Sequence, residues 1–144
     1  MSKQPIFTAT LPMTPTVNHY RKQRVIMPKG GKKPIVQDYP SSEAKAYKNF
    51  IVDVHRQAVA YPHPIEMVIT VCFATNAAQD LDNRVKGLQD ALGSKNGGAG
   101  VYFDDSQIKR LVVERGENWK GERGTIWGNG CVMVEIYRYE KPAS

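Results

Sequence analysis

Cysteine and histidine are scarce in this 144-residue sequence, which has two cysteines and three histidines. Cys72 and Cys131 each lie in an apolar run, and neither has a second cysteine or a histidine nearby at zinc-ligand spacing. We therefore expect two reduced core thiols and no zinc site. His19, His55 and His63 are scattered, so any metal chemistry would use oxygen ligands, which magnesium and manganese prefer.

Long apolar runs are also missing. No stretch approaches the roughly 20 apolar residues that cross a bilayer, and the opening MSKQPIFTATLP lacks the apolar core of a signal peptide. We therefore expect a soluble protein that stays in the cytoplasm and does not bind a membrane. The apolar fraction of 41% is enough for one modest core, and the length suits a single domain over residues 1–144.

The positive charge is concentrated in one segment. Lys and Arg total 20 against 14 Asp and Glu, a net charge of +6. Residues 19–33 contain six bases and no acid, so the other 14 bases equal the acids in number. The six are Arg21, Lys22, Arg24, Lys29, Lys32 and Lys33. Two interpretations are level: a solvated mobile loop, or an arm that binds nucleic-acid phosphates.

Prolines and glycines in the same segment argue against regular structure there. They are Pro28, Gly30, Gly31 and Pro34, and they predict a basic mobile segment at about residues 19–36.

The rest of the chain predicts strands and two main helices. Apolar alternation predicts strands over residues 6–11, 65–74, 108–113 and 131–139, with 65–74 central because both its faces are apolar. Spacing by four predicts a helix from Glu43 to about Ala60, and a second helix with Val85, Leu88, Ala91 and Leu92 buried. The fold class is α+β, a mixed sheet of four or five strands packed against two main helices.

Two connections contain little regular pattern. Residues 93–100 have several glycines and are expected to be flexible, and residues 116–130 are interpreted as a long hairpin loop. Trp119, Arg123 and Trp127 in the second connection would either stack on splayed bases or form the exposed tip of a packed hairpin.

Two aspartates follow the predicted central strand. On an extended segment the side chains of Asp80 and Asp82 share one face, while Leu81 points toward the core. Two such carboxylates repel unless a cation lies between them. A turn followed by a helix cap at Asp82 or Asn83 explains one acid but not two. Lys86, one helical turn later, is either an exposed ion-pair partner or a positive charge beside a phosphate.

A second acidic pair, Asp104-Asp105, precedes the next strand. By itself it is an ordinary loop tip. Together with Asp80 and Asp82 it would supply the third carboxylate that a hard cation needs. Such an ion can activate water and neutralise a phosphodiester, so a nuclease of this kind needs no catalytic histidine or cysteine.

Several motifs together resemble the RusA family of Holliday junction resolvases. They are Asp80-Leu81-Asp82-Asn83, Lys86-Gly87, Asp90-Ala91-Leu92 and Gly100–Ile108, in that order. Upstream, the stretch from Pro12 to Arg21 resembles the opening motif of the family, with Asn18 and Tyr20. The resemblance covers most of the chain, and residues 93–100 are longer than the family pattern.

The resemblance implies a RusA-like fold and magnesium-dependent cutting of four-way DNA junctions, with manganese as a substitute ion. It implies that Asp80, Asp82 and Asp105 are catalytic metal ligands and that Lys86 is catalytic, with Asp104 and Asn83 second in rank. The expected DNA-binding residues are Asn18, Tyr20, Arg21, Lys22, Arg24, Lys32 and Lys33.

The expected partners are branched DNA and a second copy of the chain, with no small-molecule cofactor. A four-way junction has two-fold symmetry, and resolving it needs two active sites, hence a homodimer. The resemblance also suggests a bacterial or phage-infected cell as the location.

Two other functions remain as alternatives. The first is a branched-DNA-binding protein that cleaves weakly or not at all. The presence of all four key side chains argues against it. The second is a metal-dependent phosphotransfer enzyme that acts on a nucleotide. The sequence lacks the G-x-x-x-x-G-K-[ST] phosphate loop, and the basic segment suits a polymer better than a small molecule.

Overall fold

A computed structural model describes most of the chain. The described residues are 4–15, 21–26, 35–40, 42–76, 81 and 84–142. Of residues 21–26, 35–40 and 96, only the backbone is described.

Six strands and two helices lie within these ranges. The strands are β1 Phe7–Pro12, β2 Arg21–Ile26, β3 Ile35–Pro40, β4 Ile65–Phe73, β5 Ile108–Arg115 and β6 Gly130–Arg138, and the helices are α1 Ser42–His55 and α2 Val85–Leu92. Short 3-10 helices cover Ser94–Asn96 and Asp105–Gln107.

The main sheet is mixed, with the strand order β1-β6-β4-β5. Strand β4 pairs antiparallel with β6 and parallel with β5, and β1 pairs antiparallel with β6. The inner position of β4 follows from its sequence, since Ile65, Met67, Ile69, Val71 and Phe73 are at most 1% exposed. The predicted α+β class, with a mixed sheet and two main helices, is confirmed. The ends of the four predicted strands differ from the observed ends by at most two residues.

Both helices contribute to one hydrophobic core. Tyr47 and Ile51 of α1 and Leu88 and Leu92 of α2 join the core residues of the sheet. Within the described ranges, no helix has both the length and the apolar character that a membrane crossing requires.

Helix α1 ends at His55 and not near Ala60, so its predicted end is wrong. The reason is tertiary: the amide of Gln57 donates to the carbonyl of Ala99 at 2.8 Å, and that of Tyr61 donates to Val101 at 2.9 Å. These partners draw the backbone out of the helix. The apolar residues that follow His55 do not face the core, since residues 56–59 are exposed and Val59 is 83% exposed.

The basic segment contains regular structure, contrary to the sequence prediction. Strands β2 and β3 pair antiparallel, from Arg21 opposite Pro40 to Ile26 opposite Ile35. All four predicted breakers lie between the two strands in sequence, in residues 27–34, which are outside the described set. They separate two strand-forming stretches and do not prevent them.

The glycine-rich connection after α2 follows a defined path. Its amides return to the end of the helix: Ala99 donates to Ala91 at 2.7 Å and Val101 to Leu92 at 2.9 Å. A Cβ on Gly98 would lie 2.6 Å from the carbonyl oxygen of Ala91, so only glycine fits this close approach. The expected flexible loop is therefore a hydrogen-bonded cap on α2.

The connection from β5 to β6 is not a hairpin loop. The two strands lie on opposite sides of β4, and residues 116–129 carry the chain across its end. The amide of Trp119 donates to the carbonyl of Phe73 at 2.9 Å, which fastens the crossing to the last residue of β4. The hairpin prediction was wrong because alternation shows which residues form strands and not which strands pair.

Candidate active site

The acidic pair lies beside α2, where a buried tyrosine contacts it. Tyr102 is 0% exposed, and its hydroxyl lies 3.2 Å from Oδ1 of Asp105 and 3.1 Å from the carbonyl oxygen of Gln89 in α2. Burial raises the pKa of Tyr102 above its ordinary value, and the charge of Asp105 raises it further. The phenol therefore remains a proton donor at neutral pH. Its single proton is shared between these two acceptors, and the hydroxyl thereby connects the Asp105 carboxylate to the helix that follows Asp82 and Asn83 in sequence.

Asp104 has local partners instead. Its Oδ2 accepts a hydrogen bond from Oγ of Ser106 at 3.1 Å and lies 3.6 Å from Nζ of Lys95. The Ser106 hydrogen bond and the Lys95 charge lower the pKa of Asp104. These contacts stabilise the turn.

Gln107 holds the whole turn in place through its side-chain amide. Its Oε1 accepts from the amides of Phe103 at 2.7 Å and Asp104 at 2.9 Å. Its Nε2 donates to the carbonyl oxygens of Tyr61 at 2.8 Å and His63 at 3.0 Å. The turn that presents Asp105 is thus bound to the chain that enters β4.

Lys86 forms an ion pair within α2. Its Nζ lies 3.0 Å from Oδ1 of Asp90, whose side chain is only 7% exposed, whereas that of Lys86 is 53% exposed. A carboxylate so deeply buried needs a partner, because desolvation of an isolated charge is costly. The sequence analysis considered Asp82, four residues before Lys86, as its ion-pair partner. The partner among the described residues is Asp90, four residues after Lys86.

Two described residues just before α2, Leu81 and Arg84, are anchored by tertiary contacts. Leu81 packs against the core, as the alternation predicted. The hydroxyl of Thr14 donates to the carbonyl oxygen of Arg84 at 2.8 Å, and Nη1 of Arg84 donates to that of Thr14 at 2.5 Å. The guanidinium also lies over the ring of Phe73, 5.7 Å from its centroid. These contacts fix the chain where α2 begins.

Most predicted site residues lie outside this description. Asp80, Asp82, Asn83, Asn18, Tyr20, Lys32 and Lys33 are not among the described residues, and Arg21, Lys22 and Arg24 have only their backbone described, in β2. Within the described part of the chain, no three His, Cys, Asp or Glu side chains form a group that could hold a metal ion. Asp80 and Asp82, two of the three predicted ligands, lie outside that part of the chain, so the metal site remains a prediction.

Sequence reasoning assigned no role to Tyr102, Gln107 or Asp90, although all three lie within the quoted motifs. Two of them had a signal: Gln107 is three residues after Asp104, as in a capping box, and Asp90 is four residues after Lys86 on a helix. Tyr102 had none, because an apolar tripeptide does not show where a hydroxyl points.

The comparison with protein families identifies the family of this chain. The profile of the family described as endodeoxyribonuclease RusA matches residues 12–136, a range that includes β4, β5, β6 up to Ile136, both helices and the Asp104–Gln107 turn. No curated protein sequence matches the chain. The chain therefore belongs to the RusA endodeoxyribonuclease family, and this membership implies the endonuclease activity of a Holliday junction resolvase on branched DNA.

Proposed function

We propose that the protein is a magnesium-dependent endonuclease that resolves four-way DNA junctions by paired, symmetric nicks. The observation that carries this proposal is the contact between Tyr102 and Asp105. It holds a carboxylate against α2, the helix that begins just after Asp82 and Asn83 in sequence.

Asp80, Asp82 and Asp105 would hold the ion. The donor set suits it, because carboxylate oxygens are the ligands that magnesium prefers and manganese accepts the same set. When bound, the ion would supply an activated water molecule and neutralise the scissile phosphate. Tyr102 occupies one oxygen of Asp105, and a carboxylate with two oxygens can accept this bond and still bind a cation.

Lys86 would provide a positive charge beside the phosphate. Asp90 holds the ammonium near one orientation, while about half of the Lys86 side chain remains open to solvent. A charge placed in advance costs little reorganisation during the reaction. Asp104 and Asn83 stay second in rank, since Asp104 already contacts Ser106 and Lys95.

The β2–β3 hairpin would bind DNA phosphates outside the cutting site. Arg21, Lys22 and Arg24 lie on β2, and we propose that they act with Asn18, Tyr20, Lys32 and Lys33. Neutralising phosphates releases counterions, which makes this contribution strongly dependent on salt.

We further propose that the active enzyme is a homodimer in the cytoplasm. A junction with two-fold symmetry presents two equivalent scissile phosphates, and a dimer with two-fold symmetry would present two equivalent sites to them. Paired nicks then follow from symmetry and need no second kind of active site.

The decisive experiment compares three matched DNA substrates: a four-way junction, a three-way junction and a linear duplex, each with and without magnesium. We expect paired nicks in the four-way junction alone, and only when magnesium is present. Asp82→Asn should bind the junction and leave it uncut, because asparagine keeps the size and removes the charge. Cutting of all three substrates would indicate a general nuclease. Binding by the wild-type protein without cutting would favour the inactive branched-DNA-binding protein.

A further inference from the structure

A cavity of about 560 Å³ has no role in the function proposed so far. It lies between the end of β1, helix α1, the end of β4 and the crossing formed by residues 116–129. Its size is within the range of small-molecule sites, which run from about 300 to 1,000 Å³.

The position of the cavity relates it to the cutting site. Thr75 and Arg84 both line it, and in sequence they precede and follow the segment with Asp80 and Asp82. Arg84 is fixed there by its two hydrogen bonds with Thr14, which also lines the cavity. Arg84 also lies two residues before Lys86, which the proposed function places beside the phosphate. A nucleotide next to that phosphate would therefore be within reach of this opening.

The lining favours a nucleobase over a phosphate. Tyr47 and Phe50 provide aromatic surface, and Ile126 adds an apolar wall that is 52% exposed. Arg84 is the single cation among the described lining residues, and Glu43 provides a carboxylate that would repel a phosphate. A base has a flat apolar face and a polar edge, and this mixture of surfaces fits both.

Aromatic rings continue from the cavity to the protein surface. Phe50 packs edge-on against Trp127, with centroids 6.4 Å apart, and Trp127 packs edge-on against Trp119 at 6.0 Å. Trp119 is 42% exposed. An unpaired base leaving a duplex would thus meet stacking surface before it reached the cavity.

We propose that the cavity receives one unpaired nucleobase of the branched DNA, from a nucleotide near the scissile phosphate. This inference rests on the proposed function. It gives a physical basis for preferring a branch point, because a base at a junction centre is released from its stack more easily than one within a duplex.

The test combines a protein change with a DNA change. Ala46 is exposed on α1 and lines the cavity, so Ala46→Trp obstructs the cavity without disturbing the core. Asn49→Trp, at an exposed α1 position outside the lining, is the matched control. Ile126→Ser, on the opposite wall, is a second variant that removes apolar surface from an exposed site. Thermal unfolding of each variant checks that it folds.

Each protein is titrated with the intact junction and with junctions that have one abasic site at successive positions around the branch point, without magnesium. For the wild type, we expect one abasic position to weaken binding by between about 5-fold and 100-fold, the loss of one stacked base. Ala46→Trp should weaken binding of the intact junction similarly, and the same abasic site should then have no further effect. Ile126→Ser should reduce the effect of that site, and Asn49→Trp should leave it unchanged.

Two results would overturn the inference. One is equal binding of all abasic junctions by the wild type. The other is that the binding loss caused by Ala46→Trp multiplies with the binding loss caused by every abasic site. Such independence would indicate that the cavity contacts the DNA backbone and not a base. A parallel assay of wild-type cutting with magnesium separates the two proposals. If the wild type cuts and either result appears, the cavity proposal alone fails, whereas a wild type that neither binds nor cuts junctions refutes the function itself.

Discussion

The Asp104–Gln107 turn and the β2–β3 hairpin would both serve DNA cleavage, yet they are held in different ways. Side-chain hydrogen bonds from Tyr102 and Gln107 connect the turn to α2 and to the chain before β4. The hairpin forms a separate two-stranded sheet, and its strands pair with each other. A two-stranded hairpin alone is marginally stable in water. The comparison indicates that the proposed cutting chemistry requires fixed geometry. The proposed attraction of DNA requires charge, and that charge does not need to be positioned as accurately.

The largest expected effect comes from Asp105→Asn. Removing one carboxylate from the proposed metal site should lower the cleavage rate by about a thousandfold, because several kcal/mol of transition-state charge stabilisation are lost. Each loss of about 1.4 kcal/mol slows the rate about tenfold. Single-turnover cleavage of a four-way junction measures this. The adjacent Asp104→Asn is the matched control and should retain most of the activity. Equal losses in both variants would contradict the distinction between the two acids.

Tyr102→Phe should have the next largest effect. It removes the hydroxyl that contacts Asp105 and keeps the buried ring, so metal affinity should fall by about 10-fold to 100-fold. Calorimetry of manganese binding to the protein, without DNA, measures this affinity and does not depend on cutting.

Folding should change little in the same variant, since one buried hydrogen bond contributes about 1 kcal/mol to the free energy of unfolding. Unchanged manganese affinity in a folded Tyr102→Phe protein would remove the tyrosine from the metal site.

Neutralising the hairpin tests the other region. Replacing Arg21, Lys22 and Arg24 with glutamine should weaken junction binding about tenfold at low salt and reduce the salt slope by up to about 3. The cleavage rate at saturating protein should stay near that of the wild type, because the turn at Asp105 is untouched. Lys45, Lys48 and Lys141, changed together, serve as a control of equal charge. An unaltered salt slope in the hairpin variant would identify the segment as solvated and not DNA-binding.

The smallest effect is expected from Asp90→Asn. Loss of this partner frees the ammonium of Lys86 and should slow cleavage a few-fold at saturating DNA, with junction affinity nearly unchanged. Lys86→Ala should cost more, and the double variant should resemble Lys86→Ala alone, because two residues that act as one unit are not additive. Independent, additive losses would show that Asp90 stabilises the fold and does not position the lysine.

Periodicity predicted much of the fold from particular residues. The apolar faces of β4 identified it as one of the two inner strands, and Leu81 was correctly assigned to the core. Burial of one face is a local property of the pattern, so the sequence reveals it. Pairing partners are not local, and for this reason the order of β5 and β6 around β4 and the β2–β3 hairpin were both missed.

The site divides in the same way. Asp80, Asp82 and Lys86 were selected by residue type and spacing, since charge and ligand chemistry can be read along a chain. Asp105 was assigned mainly through the family resemblance. The contacts of Asp105 with Tyr102 and of Lys86 with Asp90 appear only when the helix and the turn are packed together. A hydrogen bond of about 3 Å depends on where two segments meet, and amino-acid order alone does not contain that distance.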